Sequence, residues 1–228
     1  MPVTLAFDIY GTLIDTHGVV GALAQRIGDR AGPFSRMWRD KQLEYTFRRG
    51  LMQTYEDFSV CTRHALDYTC ACMKIALSEA DKLALMQAYA TLPAFDDVAS
   101  GLARARDAGF RLFAFSNGRA DAVETVLTHA GIRDYFEDVV SVDEIHCFKP
   151  SPVVYRHFLS RAGAVASATW LISSNPFDVL GAMSAGWRAA WIKRQPDAVF
   201  DPWGIEPTLA LGSVSDVAGQ IIAASSDC

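Results

Sequence analysis

The sequence predicts an α/β protein: a doubly wound parallel sheet interrupted by an inserted helical subdomain. Three features carry that prediction. Short β-branched or aromatic runs recur along the chain, amphipathic helical stretches separate most of them, and one long segment has almost no strand signal.

The strand-like runs are Val3-Phe7, Arg111-Phe115, Val139-Val142, Thr169-Ile172, Ala189-Ile192 and Thr208-Leu211. Between them, helices are predicted over Asp97-Ala108, Ala120-Ala130 and Phe177-Ala185, each followed by a glycine (Gly109, Gly131, Gly186) where a left-handed C-cap would sit. The exception runs from Thr16 to Leu92. Its best helix is expected from Phe34, after Pro33, to Met52, with Met37, Trp38, Leu43, Phe47 and Leu51 as its apolar side. Pro93-Ala94-Phe95 marks the return to the α/β layer, so residues 1–15 and 93–228 read as the core domain and 16–92 as the insertion.

Composition narrows the function classes. The 228 residues are half apolar, enough for a sizeable core, and the net charge of -5 with scattered Lys and Arg offers no basic stripe for nucleic acid or anionic membrane. The first apolar run is too short for a signal peptide and stops at Asp8, and no run approaches transmembrane length. Cys61, Cys70, Cys72, Cys147 and Cys228 are odd in number and lack paired C-x-x-C spacing, as reduced thiols in a cytoplasm would. His17, His64, His129, His146 and His157 are dispersed singly, so no metal cofactor is expected.

Ligands of open parallel sheets bind outside the carboxyl ends of the strands. Polar residues cluster there: Asp8, Ser116-Asn117-Gly118, Lys149-Pro150 and Ser173-Ser174-Asn175. An aspartate at a strand end can attack an electrophile and form an ester, dividing one difficult step into two. Lys149, following the third strand after a loop and brought close by the adjacent strand, would keep it ionised, and Thr12 with nearby N–H groups could fix its oxygens.

Taken in order, Phe7-Asp8-Ile9-Tyr10-Gly11-Thr12-Leu13, Phe115-Ser116-Asn117-Gly118, Phe148-Lys149-Pro150 and Ser173-Ser174-Asn175-Pro176-Phe177-Asp178 resemble the haloacid dehalogenase superfamily over the whole chain. The chain resembles its L-2-haloacid dehalogenase branch, which implies a Rossmann-like core and a helical cap over the site. The superfamily's phosphatases carry a second aspartate two residues after the nucleophile and hold Mg²⁺ with several carboxylates. Here Tyr10 stands at the first position, and the last segment offers only Asp178. A halide leaves without a proton, so a missing acid suits dehalogenation better than phosphate-ester cleavage.

The resemblance implies further roles. Arg39, which alone would read as a solvated helix residue, corresponds to the cap arginine that draws off the halide, with Asn117 as its partner. The substrate carboxylate would lie against Ser116 and the N–H groups of Ile9 and Tyr10, walled by Tyr10, Leu43, Phe58 and Phe177, although Phe58 reads equally well as core. Asp178 would activate the water that cleaves the ester, aided by Ser173 and Asn175, with Tyr155 in support; its bland alternative is a helix N-terminal charge. Many relatives have tryptophan where this chain has Phe177, a departure that bears on pocket size. The implied reaction converts a small (S)-2-haloacid to the 2-hydroxyacid with inversion and without metal, in a homodimer. The alternatives are a hydrolase of another 2-substituted acid such as azetidine-2-carboxylate, a Mg²⁺-dependent phosphatase, and a silent binding protein on the same fold.

Overall fold

The computed structural model describes residues 2–226, so Cys228 lies outside the described residues. The chain opens with β1 (Thr4–Phe7) and then forms four helices, α1 (Gly18–Ile27), α2 (Ala31–Met52), α3 (Phe58–Met73) and α4 (Glu79–Ala88). Alternation follows: α5 (Val98–Asp107), β2 (Arg111–Ser116), α6 (Ala120–His129), β3 (Asp138–Ser141), α7 (Pro152–Ala162), β4 (Thr169–Ser173), α8 (Pro176–Ser184), β5 (Arg188–Ile192), β6 (Leu209–Leu211) and α9 (Val217–Ser226). Gly109, Gly131 and Gly186, the predicted helix stops, all have positive φ.

The six strands form one parallel sheet in the order β3-β2-β1-β4-β5-β6. Successive residues of a strand face opposite sides, and both sides of this sheet are covered, which is why its runs are apolar without alternation. Leu5, Phe7, Leu112, Ala114 and Ile172 pack with Leu102 of α5, Val126 of α6 and Ile221 of α9. On the other face Ala6, Phe113, Phe115 and Leu171 pack with Val154 and Phe158 of α7 and Val179 of α8. Strand order reverses direction at β1, which opens a crevice between the loops after β1, β2 and β4. Register aligns those loops, because Phe7 lies opposite both Ala114 and Ile172.

The helices between β1 and α5 have their own apolar cluster, including Val19, Leu23, Phe34, Trp38, Leu66 and Leu85. The segment leaves and rejoins the sheet at one place: Ile14 bridges Ala94, Asp15 N–H donates to the Pro93 carbonyl at 2.8 Å, and Phe95 N–H donates to the Leu13 carbonyl at 3.0 Å.

In α2 the structure corrects the expected boundary and face. The helix begins at Ala31, with Pro33 in its first turn, where a missing N–H costs nothing. Its buried stripe is Ala31, Phe34, Trp38, Gln42 and Thr46, whereas Met37, Leu43 and Phe47 are half-buried and Leu51 is 87% exposed. Polar groups enter that stripe because they are paired: Gln42 Nε2 donates to Thr62 Oγ1 of α3 at 2.5 Å, and Thr46 Oγ1 donates to the Leu43 carbonyl at 2.7 Å.

Gly101 of α5 is held by space. A Cβ there would stand 2.6 Å from the Val214 carbonyl oxygen, which belongs to backbone and cannot swing aside. Gly101→Ala is expected to lower unfolding free energy in a denaturant titration by about 1–3 kcal/mol.

Candidate active site

Asp8 follows β1 directly, and its N–H extends the sheet by donating to the Ile172 carbonyl at 3.0 Å. The chain then turns tightly, with the N–H groups of Leu13 and Ile14 both donating to the Ile9 carbonyl at 2.9 Å. That turn brings Thr12 back over the carboxylate, where its Oγ1 donates to Asp8 Oδ2 at 2.8 Å. Ser174 N–H donates to the same Thr12 oxygen at 2.8 Å and fixes its lone pair. Oδ2 also accepts from Asn175 Nδ2 at 2.8 Å and Ser173 Oγ at 3.4 Å. Oδ1 meets one donor, the Lys149 ammonium at 3.2 Å. The two oxygens of Asp8 therefore differ: one is tied by three donors, the other is held by a single ammonium.

Lys149 lies on the loop between β3 and α7, with its side chain only 1% exposed. Its three protons have three acceptors: Asp8 Oδ1, Asp178 Oδ2 at 2.8 Å and the Phe115 carbonyl at 2.9 Å. Burial works against the ammonium, yet the Asp178 and Asp8 charges outweigh it and raise the Lys149 pKa above the ordinary lysine value. Asp178, in the first turn of α8, also accepts from the Tyr155 hydroxyl at 2.8 Å. Burial, with the nearby Asp8 charge, raises the Asp178 pKa despite the pull of Lys149. Burial and the neighbouring Asp178 push the Tyr155 hydroxyl well above its usual value, so it stays protonated and donates to Asp178. Asp178 is thus a fully buried partner of the lysine as well as a helix N-terminal charge.

Asp8, Tyr10, Arg39, Leu43, Phe58, Ser116, Asn117, Lys149, Asn175 and Phe177 line one cavity of about 20 Å³. Tyr10 stacks on Phe58 at 6.2 Å, and Phe177 packs edge-on against Phe47 at 5.0 Å, so α2 and α3 close the apolar side. Burial pushes the Tyr10 hydroxyl up to about 12, which keeps it neutral. Asn117 Oδ1 accepts from Lys149 N–H at 2.9 Å; an N–H can only donate, so the Asn117 amide nitrogen is left for a ligand. Ser116 Oγ accepts from Gly118 N–H at 3.0 Å and keeps its own proton to give. Among the described residues no acceptor pairs with the N–H of Ile9 or of Tyr10. Arg39 donates to Gln42 Oε1 at 2.7 Å and to the Tyr10 carbonyl at 3.3 Å, reaching from α2 to the loop after β1.

The other sequence-predicted residues stand behind the cavity: Thr12 and Ser173 hold Asp8, and Tyr155 and Asp178 hold Lys149. Several contributors escaped the sequence reading. Ser174 fixes Thr12 and, through its Oγ, the Gly11 carbonyl, and its adjacency to Ser173 was the one available signal. Gly181 leaves room for Tyr155 and Pro150, with which an added Cβ would collide. Among the described residues no group of three or more His, Cys, Asp or Glu is placed to hold a metal ion, and no helix is long and apolar enough to cross a membrane.

Residues 3–186 match the family model for haloacid dehalogenase-like hydrolases. The chain is 37% identical over 213 residues to an (S)-2-haloacid dehalogenase of Pseudomonas sp. (strain YL), covering 93% of this chain and 91% of that one. It is 36% identical to haloacetate dehalogenase H-2 of Moraxella sp. (strain B), covering 96% and 97% respectively. Among solved structures it is similar to the L-2-haloacid dehalogenase of Xanthobacter autotrophicus with chloropropionic acid covalently bound, with a TM-score of 0.91, 29% identity, and 97% of this chain and 99% of that one covered.

Lys149→Met removes the cation shared by two buried carboxylates and leaves them facing each other. Thermal and urea unfolding at neutral pH should show a loss of about 3–5 kcal/mol. Without the pull of Lys149 the raised Asp178 pKa rises further in the folded state, so the loss should shrink as pH falls and Asp178 takes up a proton.

Proposed function

The chain belongs to the haloacid dehalogenase-like hydrolases, and from that premise we propose that it hydrolyses the carbon–halogen bond of a small (S)-2-haloacid to give the 2-hydroxyacid and halide. The observation that carries this reading is the asymmetric Asp8 carboxylate at a cavity that also holds Arg39, with Tyr10 where a phosphatase would carry its acid.

Asp8 Oδ1, restrained by one ammonium, attacks carbon-2 of the substrate. The carbon–halogen bond breaks, its electron pair leaves with the halide, and carbon-2 inverts because attack is in line. Arg39 and the Asn117 amide nitrogen receive the halide; a guanidinium suits this role because it is always charged and weakly hydrated. The substrate carboxylate is held by Ser116 and the N–H groups of Ile9 and Tyr10, while Leu43, Phe58 and Phe177 exclude water.

Water then adds to Cγ of Asp8 and passes a proton to Asp178. Negative charge develops on Oδ2, where Thr12, Asn175 and Ser173 already donate, so the ground-state hydrogen bonds become an oxyanion hole. The Cγ–Oδ1 bond breaks, the hydroxyacid oxygen takes the proton back from Asp178, and the carboxyl left on Asp8, with one oxygen now from water, releases its remaining proton to solvent and is restored as a carboxylate. Ester formation cancels the Asp8 charge and leaves Lys149 to Asp178 alone. Tyr155 keeps that carboxylate in place.

Residues 16–92 serve in this reading as a cap. Phe58 stacked on Tyr10, and Phe47 against Phe177, close the cavity's apolar side, which favours short acids. No step needs a metal, and a homodimer in the cytoplasm completes the proposal, which sedimentation and fractionation test.

Chloride release from chloroacetate or L-2-chloropropionate should proceed without added metal and survive a chelator, and Asp8→Asn should abolish it with the fold intact by circular dichroism. Absence of halide release from every 2-haloacid, with Mg²⁺-dependent phosphate release in its place, would overturn the reading. Asp178→Asn should still release one halide per site and then stall, with the ester on Asp8 visible by mass spectrometry. Burial, the largest cause raising the Asp178 pKa, persists in the ester, so ester hydrolysis in the unsubstituted enzyme should fall off on the acid side as Asp178 takes up a proton.

A further inference from the structure

We infer that Gln42 is a positioning residue that aims Arg39 at the departing halide without cancelling its charge. The inference rests on the proposed role of Arg39 and adds to it a residue on the buried face of α2.

Gln42 is fully buried, one helical turn from Arg39, on the buried stripe of α2 between Trp38 and Thr46. Its amide orientation is forced. Arginine has no acceptor, so Oε1 must face Arg39 Nη1, at 2.7 Å, and Nε2 must point the other way. There it meets Thr62 Oγ1 at 2.5 Å, and the Thr62 hydroxyl donates onward to the Phe58 carbonyl at 2.7 Å. Trp38 Nε1 pins the Thr62 carbonyl at 2.8 Å. Every hydrogen bond in the chain runs in one direction, and it ends on the main chain of a residue that lines the cavity.

The consequence is electrostatic as well as geometric. A carboxylate at this position would hold the guanidinium as firmly but neutralise it, and a halide would then meet a dipole instead of a net cation. An amide orients Arg39 and leaves its whole charge for the leaving group. With the second guanidinium nitrogen on the Tyr10 carbonyl, Arg39 is fixed from both sides of the cavity.

Two measurements on the full chain test this: inhibition of L-2-chloropropionate turnover by bromide, and single-turnover ester formation on Asp8 followed by mass spectrometry. Gln42→Glu, nearly isosteric, should weaken bromide inhibition and slow ester formation by roughly tenfold each, leaving hydrolysis of the ester at its normal rate. Thr62→Val, which removes only the relay hydroxyl, should do the same to a smaller degree, and it supplies the answer if Gln42→Glu does not fold. A purely structural role would instead slow both half-reactions together and lower Tm, and that result overturns the inference. So does normal bromide inhibition in both variants when Arg39→Ala has lost it. Normal bromide inhibition in Arg39→Ala overturns the halide role of Arg39 itself, and this inference with it.

Discussion

Everything at the carboxyl edge of the sheet depends on one buried ammonium. Lys149 reaches a place where a lone charge would be forbidden, and it is stable there because two carboxylates and a carbonyl take its three protons. The arrangement binds elements distant in sequence: Asp8 after the first strand, Phe115 in the second, Lys149 after the third and Asp178 after the fourth. The two carboxylates share that one cation, whose charge neither could replace with its neutral donors. The site therefore also contributes to the stability of the fold, because removing the shared cation leaves two buried carboxylates without it.

The second organising fact is the division of labour on α2. One stripe of the helix faces α3 and carries Phe34, Trp38 and Gln42; another, with Arg39, Leu43 and Phe47, faces the sheet's edge. Gln42 and Arg39 sit on different stripes and touch across the turn that separates them. A single helix thus contributes both a wall of the cavity and the internal packing of its own layer, and any shift of one moves the other.

How much of this was legible in the sequence follows from what kind of signal each part leaves. The strands were plain because a sheet covered on both faces needs continuous apolar runs, and their ends located Asp8, Ser116 and Ser173, with Lys149 following the third strand only after a loop. Side-chain identities leave marks; main-chain acceptors do not, so the Phe115 carbonyl beneath Lys149 was invisible. Gly181 was equally silent, since its contribution is the absence of an atom beside Tyr155. The inward face of α2 misled for another reason. Hydrophobic periodicity assumes that buried means apolar, and Gln42 and Thr46 are buried because α3 and the helix's own carbonyls supply their partners, which no local pattern records.

The paired crossing at Ile14 and Ala94 bears on how the chain folds. β1 precedes the long helical segment in the chain, whereas both its neighbours, β2 and β4, follow it. Closing so large a loop around an unstructured segment would be entropically slow. Once α1 to α4 have packed on their own apolar cluster, the two ends already lie side by side, and the loop that β1 must close shrinks to the width of that crossing. A packed helical segment would thus join β1 to its neighbours at the entropic cost of a short loop instead of one spanning the whole insertion.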